Sequence, residues 1–483
     1  MAKFEFINAV YMKRIVFIAT CTLSLVSSFG QNVTRKLEKA YRQFEADSQL
    51  RHAISSLYVV NAKTGEVVFD KNSQMGLAPA STQKIITAAT AFELLGKEYQ
   101  YKTEVGYEGT VNNHELNGNL YVLGSGDPTF GSWRWQSTGM QQILQELREG
   151  IKKVGVGNIA GRIIYETGKW ETTEIPDGWI WGDLGNYYGA GALGLNWHEN
   201  QYDLLLKSGR NIGDSVKAIG TFPEISNIIV SEVKSAAKGT GDNAYIYLPS
   251  GDYFGVITVR GTIPVNEESF IISGAMPSAD LKFFNALFKE IDTAGISIYS
   301  GTYAGHEVKR VQHFARSPKS HPILTHLSPT LDSIVYWFLQ KSINLYGEAL
   351  IKTFAYERKG FGSTESGVVI VKDFWKQKGL DDEELNIMDG SGLSPQNRVT
   401  THVQVQILKY ARTKDWFPYF YEALPTYNAM KMKSGSIRDV KGFCGYQKSG
   451  DGNEYIFSFL VNNYNGSSSA VVDKMYRVLD ELK

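Results

Sequence analysis

Residues 79–96, which read PASTQKIITAATAFELLG, decide the fold of this chain. The segment starts with Pro79 and two small residues and continues into a run whose apolar side chains recur at helical spacing. Gly96 is suited to end a helix. We therefore expect a buried helix that opens at Ser81. Lys84 follows Ser81 by three residues, a spacing that places both side chains on one helix face.

Ser81 and Lys84 form a candidate catalytic pair. A serine hydroxyl is a poor nucleophile at neutral pH, and it needs a nearby base and donors that stabilise an oxyanion. The Ser-x-x-Lys spacing alone is weak, because residues 231–234 and 235–238 repeat it. The alternative for Ser81 is that its hydroxyl only caps the helix.

Two further motifs follow in the order found in enzymes that use a Ser-x-x-Lys nucleophile. Ser342-Ile343-Asn344 is the only Ser-x-Asn in the chain. Lys433-Ser434-Gly435 corresponds to a Lys-Thr-Gly motif and is predicted at the start of a strand. Other Lys-Thr-Gly or Lys-Ser-Gly triplets occupy polar turns or precede Ser81, and they begin at Lys63, Lys207 and Lys448.

Composition excludes several classes of function. Fifty Lys and Arg balance fifty Asp and Glu, so no basic excess indicates nucleic acid. The eight histidines are scattered, and His321 and His326 are five residues apart, which does not place them on one helix face. We expect neither a metal site nor an organic cofactor. Cys21 and Cys444 are the only cysteines, and Cys444, in a predicted buried strand, is expected to be inert.

The N-terminus resembles an export signal. Met12-Lys13-Arg14 precedes an apolar run over residues 15–26 and a small-residue end at residues 27–30. This order predicts a signal peptide over residues 1–30 and a periplasmic protein. Lipid attachment at Cys21 stays open as the alternative. No later segment has eighteen uninterrupted apolar residues.

The texture of the chain changes twice. Residues 54–69 predict a β-hairpin, short strands with glycine turns dominate residues 104–305, and long helical patterns return from residue 306. We predict one α/β domain made of residues 31–103 and 306–483. The β-rich insertion between them covers residues 104–305, and residues 210–272 form a candidate nested subdomain.

The three motifs together resemble those of a known family. The chain is similar to the low-molecular-mass, class C penicillin-binding proteins, which are D-alanyl-D-alanine carboxypeptidases and endopeptidases with a large insertion between the first two motifs. The resemblance covers nearly the whole chain after residue 30. Four further stretches carry it: residues 118–129, residues 178–190, residues 389–398 and residues 433–446.

The resemblance implies a penicillin-binding, β-lactamase-like transpeptidase fold, an antiparallel sheet with helices on both sides. It also implies peptidoglycan stem peptides ending in D-Ala-D-Ala as substrates and β-lactams as covalent ligands. Ser81 would be acylated, Lys84 would take its proton and Ser342 would relay the proton to the leaving amine. Asn344 would hold the substrate backbone.

The same resemblance assigns the third motif to substrate binding. Lys433 and Ser434 would bind the terminal carboxylate, and the Ser434 hydroxyl replaces that of the usual threonine. Gly435 would leave room for substrate along the strand. The backbone N–H groups of Ser81 and Ser436 would form the oxyanion hole.

Several alternatives stay open at this point. A β-lactamase would need a water-activating glutamate motif, which we do not find, and an inactive wall-binding homologue would not need to retain the reactive atoms. The preference between carboxypeptidase and endopeptidase action and the strength of any loose membrane association are also open. We expect Glu348 to be a solvated or helix-terminal charge instead of a site residue.

Overall fold

The computed structural model describes residues 33–249, 255–298, 309–311 and 321–483, without the side chains of residues 166 and 309–311. The predicted signal peptide and the predicted domain boundary at residues 305–306 lie outside this part of the chain. Within it, no helix is long and apolar enough to span a membrane.

The described residues contain eleven α-helices. They are α1 (33–45), α2 (Lys84–Leu95), α3 (Met140–Lys153), α4 (Trp181–Leu184), α5 (Ala279–Thr293), α6 (Leu331–Gln340), α7 (Asn344–Lys359), α8 (Thr364–Gln377), α9 (Thr401–Ala411), α10 (Phe417–Ala423) and α11 (Ser468–Leu479).

Twenty-two strands accompany them in the same residues. They are β1 (Ile54–Asn61), β2 (Val67–Lys71), β3 (Lys102–Asn112), β4 (Glu115–Leu123), β5 (Asn158–Ile159), β6 (Ile163–Glu166), β7 (Gln201–Lys207), β8 (Lys217–Phe222), β9 (Ile228–Ser231), β10 (Lys234–Ala236), β11 (Asn243–Tyr247), β12 (Val256–Pro264), β13 (Phe270–Ala275), β14 (Ser297–Ile298), β15 (Lys309–Val311), β16 (His321–Leu327), β17 (Leu385–Asn386), β18 (Arg398–Val399), β19 (Thr426–Tyr427), β20 (Met430–Ile437), β21 (Val440–Lys448) and β22 (Glu454–Asn462).

The chain folds into two compact units. The first contains the described residues up to Thr82 together with Arg398–Lys414 and Leu424–Lys483. The second contains the described residues of Gln83–Asn397 and Asp415–Ala423. The division predicted from the sequence, with an insertion over residues 104–305, stays a prediction.

An antiparallel six-stranded sheet organises the first unit, in the order β19-β20-β21-β22-β1-β2. Side chains alternate across β22, so Phe457 and Phe459 point to a core with α1 and α11, and Ser458 points to α9. The central strands are therefore covered on both faces, which explains why β21 and β22 are buried along nearly their whole length.

The second unit consists of packed helices and several small sheets. Helix α2 packs with α6, α7 and α8, and its residues Lys84–Phe92 are all buried, as expected of a helix that is apolar on every side. The mixed sheet β14-β5-β4-β3-β16, with β6 and β15, shares a core with α3 and α5. The three-stranded sheet β13-β7-β8 and the four-stranded sheet of β9 to β12 complete it.

Most elements predicted in detail are present. The predicted hairpin over residues 54–69 is the antiparallel pair β1–β2. Helix α1 ends at residue 45, and a 3-10 turn that Asp47 caps follows at Ser48–Leu50.

Candidate active site

Ser81 lies in a 3-10 turn, Ala80–Gln83, directly before α2. Ala80 is fully buried with a φ of 46°, in the left-handed region that non-glycine residues rarely adopt. Thr82 closes the turn, since its N–H and its hydroxyl both donate to the carbonyl of Pro79, at 3.3 and 2.7 Å. The turn leaves the Ser81 side chain half-buried.

The alternative that Ser81 only caps the helix is wrong. The α-helix begins at Lys84, and Gln83 occupies the cap position without a side-chain capping bond. Ser81 therefore precedes the cap position by two residues.

A buried hydrogen-bond chain fixes the turn that carries Ser81. The Thr82 hydroxyl accepts from Nε2 of Gln404 at 2.9 Å, and Oε1 of Gln404 accepts from the Ser458 hydroxyl at 2.6 Å. Gln404 lies on α9 and Ser458 on β22, and all three side chains are fully buried. The turn is thus tied to the central sheet, and buried bonds of this kind are costly to leave unmade.

The sequence predicted Lys433 at the start of a strand, but the residue lies inside β20, because that strand begins three residues earlier at Met430. Its side chain is buried, and Nζ donates to the Ser434 carbonyl at 2.9 Å. The pKa of Lys433 is lowered to about 7, mainly by burial; Cys444, the cross-strand partner of Lys433, opposes the shift, and Lys441 adds to it. Burial also raises the pKa of the Cys444 thiol, as expected of an inert cysteine.

Gly435 brings β20 against the turn of Ser81. A Cβ atom at Gly435 would lie 2.6 Å from the Pro79 oxygen, 2.8 Å from the Thr82 nitrogen and 3.0 Å from the Ser81 nitrogen. Such distances are too short for any real side chain. Glycine therefore allows the backbones to approach closely at this point, and the first unit places the Ser81 N–H beside the strand of the third motif.

One edge of β20 is open beside this contact. Residues 433–437 pair with β21, whereas β19 pairs only with Met430 and Lys431. Among the described residues, the second edge of 433–437 has no strand partner. Ser434 is half-buried and Ser436 exposed. This edge is suited to receive an extended peptide as an added strand.

Lys84 is a buried basic group of the second unit. Its side chain is fully buried, and Nζ donates to Oδ1 of Asn344 at 2.6 Å and to the Ser391 carbonyl at 2.7 Å. Nζ also lies 5.8 Å from the ring centroid of Phe338. The first and second sequence motifs therefore meet directly in the folded chain at Lys84 and Asn344.

Asn344 is the first residue of α7 and Ser342 precedes it in a loop. Nδ2 of Asn344 donates to the Tyr188 carbonyl at 2.7 Å, which orients the amide so that its oxygen faces Lys84. Ser342 is half-buried, with a φ of 58°. This left-handed residue turns the chain between α6 and α7. Non-glycine residues in this strained conformation are often found at functional sites.

The turn that supplies the Ser391 carbonyl is organised by Asp389. The carboxylate of Asp389 accepts hydrogen bonds from five groups at 2.7–3.1 Å. The donors are Nε2 of Gln83, Nε1 of Trp179, the N–H groups of Gly392 and Ser394, and Nδ2 of Asn397. A carboxylate with so many donors rigidifies its loop.

The expectation for Glu348 is wrong. Its side chain is fully buried, and Oε2 accepts from the Gly390 N–H at 3.0 Å. Burial and the negative charge of Asp389 raise the pKa of Glu348 well above its ordinary value, although Lys84 and hydrogen bonds from the 390–391 turn oppose the shift. Glu348 is therefore part of the surroundings of Lys84.

A sequence signal for Glu348 existed. It follows Asn344 by four residues, which places both side chains on one face of α7. Asp389 lies in a quoted family-like stretch, but its role as a hub depends on donors that the sequence does not place. Gln404 had no sequence signal.

Comparisons with known proteins identify the family of this chain. Residues 37–482 match the model of the D-Ala-D-Ala carboxypeptidase 3 (S13) family. The D-alanyl-D-alanine carboxypeptidase of Actinomadura sp. strain R39 is 24% identical over 482 residues, covering 93% of this chain and 85% of that protein. The D-alanyl-D-alanine carboxypeptidase DacB of Haemophilus influenzae is 23% identical over 423 residues, covering 84% of each.

The fold is similar to that of a solved structure. Penicillin-binding protein 4 of Haemophilus influenzae superposes with a TM-score of 0.74 at 21% identity, covering 93% of this chain and 98% of that protein. This similarity confirms the predicted α/β penicillin-binding fold. With the family match over nearly the whole described chain, the resemblance read from the motifs is confirmed, and the protein belongs to the D-Ala-D-Ala carboxypeptidase 3 (S13) family.

Proposed function

We propose that this protein is a serine D-Ala-D-Ala carboxypeptidase that forms an acyl-enzyme on Ser81. One observation carries the assignment of the residues. The amine of Lys84, three residues after Ser81, is fully buried and held by two oxygen acceptors, from Asn344 and Ser391. A neutral amine has two N–H bonds to donate to such acceptors and one lone pair, which can accept a proton.

Acylation then follows from the roles of the first two motifs. The Ser81 oxygen attacks the carbonyl carbon of the penultimate D-Ala, and Lys84 takes the hydroxyl proton. Ser342 relays a proton to the leaving nitrogen as the C–N bond breaks and free D-Ala departs. Water then hydrolyses the Ser81 ester, releases the shortened peptide and restores the hydroxyl.

The third motif binds the substrate's terminal carboxylate. Protonated Lys433 and the Ser434 hydroxyl supply a charge-assisted site. The open edge of β20 receives the substrate backbone, and Asn344 contributes from the second motif. The N–H groups of Ser81 and Ser436 stabilise the oxyanion, each contributing about 3 kcal/mol as in other acyl-transfer enzymes.

The substrates are peptidoglycan stem peptides ending in D-Ala-D-Ala, and β-lactams are covalent ligands. One solved structure of the Haemophilus influenzae penicillin-binding protein 4 contains a β-lactam, which supports the second part for this chain. Export through the signal sequence of residues 1–30 would deliver the enzyme to the periplasm, where this substrate lies.

The decisive experiment is intact-mass spectrometry of the purified protein with and without benzylpenicillin, alongside Ser81→Ala. We expect an adduct of one penicillin mass on the native protein and none on Ser81→Ala. Release of D-Ala from a soluble pentapeptide separates a peptidase from a wall-binding protein, and nitrocefin turnover separates it from a β-lactamase. A folded native protein with neither adduct nor D-Ala release would exclude the proposed function.

A further inference from the structure

Glu348 contacts the turn that holds Lys84, although it belongs to none of the three motifs. It lies on the first turns of α7, four residues after Asn344. Its Oε2 atom accepts from the Gly390 N–H at 3.0 Å, and the side chain has no exposure to solvent. A buried carboxyl group is costly to retain unless it performs a function or completes a hydrogen-bond network.

The contact between α7 and this turn is made by backbone. A Cβ atom at Gly347 would lie 3.0 Å from the carbonyl carbon and oxygen of Gly390, and one at Gly390 would collide with the carbonyl oxygen of Gly347. The glycine pair lets the helix approach the turn closely enough for the neighbouring Glu348 to reach the Gly390 N–H. The position of Glu348 is therefore set by a close backbone contact that requires glycine at both 347 and 390.

The peptide groups of Gly390 are held from two helices. Glu348 of α7 accepts from its N–H, and the Thr87 hydroxyl of α2 donates to its carbonyl at 2.7 Å. The next carbonyl along the chain, that of Ser391, accepts from Nζ of Lys84 at 2.7 Å. A displacement of the Gly390 peptide group would therefore also displace the next carbonyl, that of Ser391, which is an acceptor of the proposed base Lys84.

Three charged groups surround the carboxyl group of Glu348. Asp389 lies in the turn, Lys84 on α2 and Lys352 one turn further along α7, and each is electrostatically coupled to it. Lys352 is held by the carbonyls of Thr173 and Ala192, both at 2.8 Å. Since burial and Asp389 favour the neutral acid, a neutral Glu348 beside Lys84 leaves the amine less stabilised as a cation.

We propose that Glu348 is a positioning residue of the peptidase reaction, which fixes the Gly390 peptide and through it the Ser391 carbonyl that orients Lys84. This inference rests on the proposed function. Glu348 acts through the turn and through its charge state, and it does not touch the substrate.

The test compares Glu348→Gln and Glu348→Ala with the native protein. Gln resembles the neutral acid and keeps an acceptor for Gly390, whereas Ala removes it. We expect Glu348→Ala to lower kcat for D-Ala release and the rate of benzylpenicillin acylation roughly 10- to 100-fold with KM nearly unchanged, because small misplacements of a catalytic group have such effects. Glu348→Gln should restore most of the rate.

The pH profile of acylation separates positioning from plain structural support. Glu348 is neutral at acid pH but gains a charge as the pH rises towards its raised pKa of about 8, and that charge favours protonated Lys84. Gln cannot gain the charge, so Glu348→Gln should move the acid limb of the profile to lower pH. The matched control is Glu199→Gln, which changes another fully buried carboxylate that contacts α7, through Tyr346 at 2.7 Å. It should lower the melting temperature without moving the limb.

Two results would overturn the inference. One is an acylation rate and pH profile of Glu348→Ala equal to those of the native protein. The other is an equal loss in Gln and Ala with an unmoved acid limb, which would mean structural support alone. If the Ala variant does not fold, Glu348→Asp, with its carboxyl group retracted by one methylene, takes its place. Failure of the native protein to form an adduct would instead exclude the proposed function.

Discussion

Lys84 donates a 2.6 Å hydrogen bond to the side-chain oxygen of Asn344, 260 residues further along the chain. Both groups are buried, and the Asn344 amide is itself held by the Tyr188 carbonyl. The proposed base of the first motif and the amide of the second therefore form one hydrogen-bonded pair. The orientation of Lys84 depends on a residue that the sequence assigned to substrate binding.

Asn344→Leu should separate these roles. The substitution keeps the branched shape of the side chain but removes one acceptor of Lys84, so we expect acylation by benzylpenicillin to slow by about 100-fold. A stability loss of about 1–3 kcal/mol should accompany it, because a buried donor loses its partner. Stopped-flow acylation and urea unfolding measure the two effects.

The control for this substitution is Asn386→Leu. Asn386 is exposed and donates to the Glu383 carbonyl at 2.9 Å, so the same change of side chain should leave acylation as it is. Equal acylation rates for the native protein and Asn344→Leu would show that the bond to Lys84 has no part in the reaction.

The lowered pKa of Lys433 should set the alkaline limb of the pH profile of activity. Burial lowers the pKa of Lys433 to about 7, and only the protonated form attracts the substrate carboxylate. In the free enzyme, kcat/KM for D-Ala release should therefore fall as the pH rises above about 7, approaching tenfold per pH unit. The profile is measured with a soluble pentapeptide from pH 5 to 9.

Lys433→Arg provides the comparison. Arginine stays charged over this whole range, so the alkaline fall should be absent from its profile even though the larger group lowers the absolute rate. Persistence of the same fall in Lys433→Arg would assign it to another group.

Gly435→Ala tests the approach of β20 to the turn of Ser81. The new methyl group would lie 2.6 Å from the Pro79 oxygen, so the strand or the turn must move. We expect a loss of about 1–3 kcal/mol in the free energy of unfolding. Penicillin acylation should fall as well, because the Ser81 N–H is among the displaced atoms.

Gly220→Ala is the matched control, because a Cβ atom at this position of β8 has no neighbour within 4 Å. Its unfolding free energy and its acylation rate should stay close to those of the native protein. Native-like acylation in Gly435→Ala would mean that the close approach is not needed for the oxyanion site.

The raised pKa of Glu348 should also affect how the stability of the protein depends on pH. Its pKa is raised in the folded state, so above the ordinary carboxyl range the unfolded chain releases a proton that the folded chain retains. This group therefore contributes stability that is present at acid pH and is lost as the pH rises towards the folded pKa. Urea unfolding between pH 4 and 8 should show a smaller decline for Glu348→Gln. A decline as steep as that of the native protein would contradict the raised pKa.

Local elements could be read from the chain because their signals are local. The hairpin β1–β2 follows from alternating apolar residues around a glycine turn, and α2 follows from a long apolar run ended by Gly96. The same reasoning placed Lys433 in a strand, but at the start of the strand and not in its interior. Strand ends depend on neighbouring strands, and the pairing of β19 with Met430 extends β20 at its start.

Glu348 shows where such reading fails. A carboxylate near a helix start is usually solvated, and the four-residue spacing from Asn344 does not by itself say that this face of α7 is covered. The paired glycines at 347 and 390, 43 positions apart, bring the turn over that face and bury the carboxyl group. Desolvation then reverses the expected charge state.

By itself the sequence determined the order and the chemistry of three motifs, and with them the family, because reactive atoms and their spacing are written in the chain. Tertiary structure alone decided which atoms meet: the Asn344 amide and the Ser391 carbonyl at Lys84, Gly435 at the Ser81 turn, and Glu348 at Gly390. The physical reason is that burial and hydrogen-bond partners belong to contacts between distant segments, and these contacts set the proton affinities on which the chemistry depends.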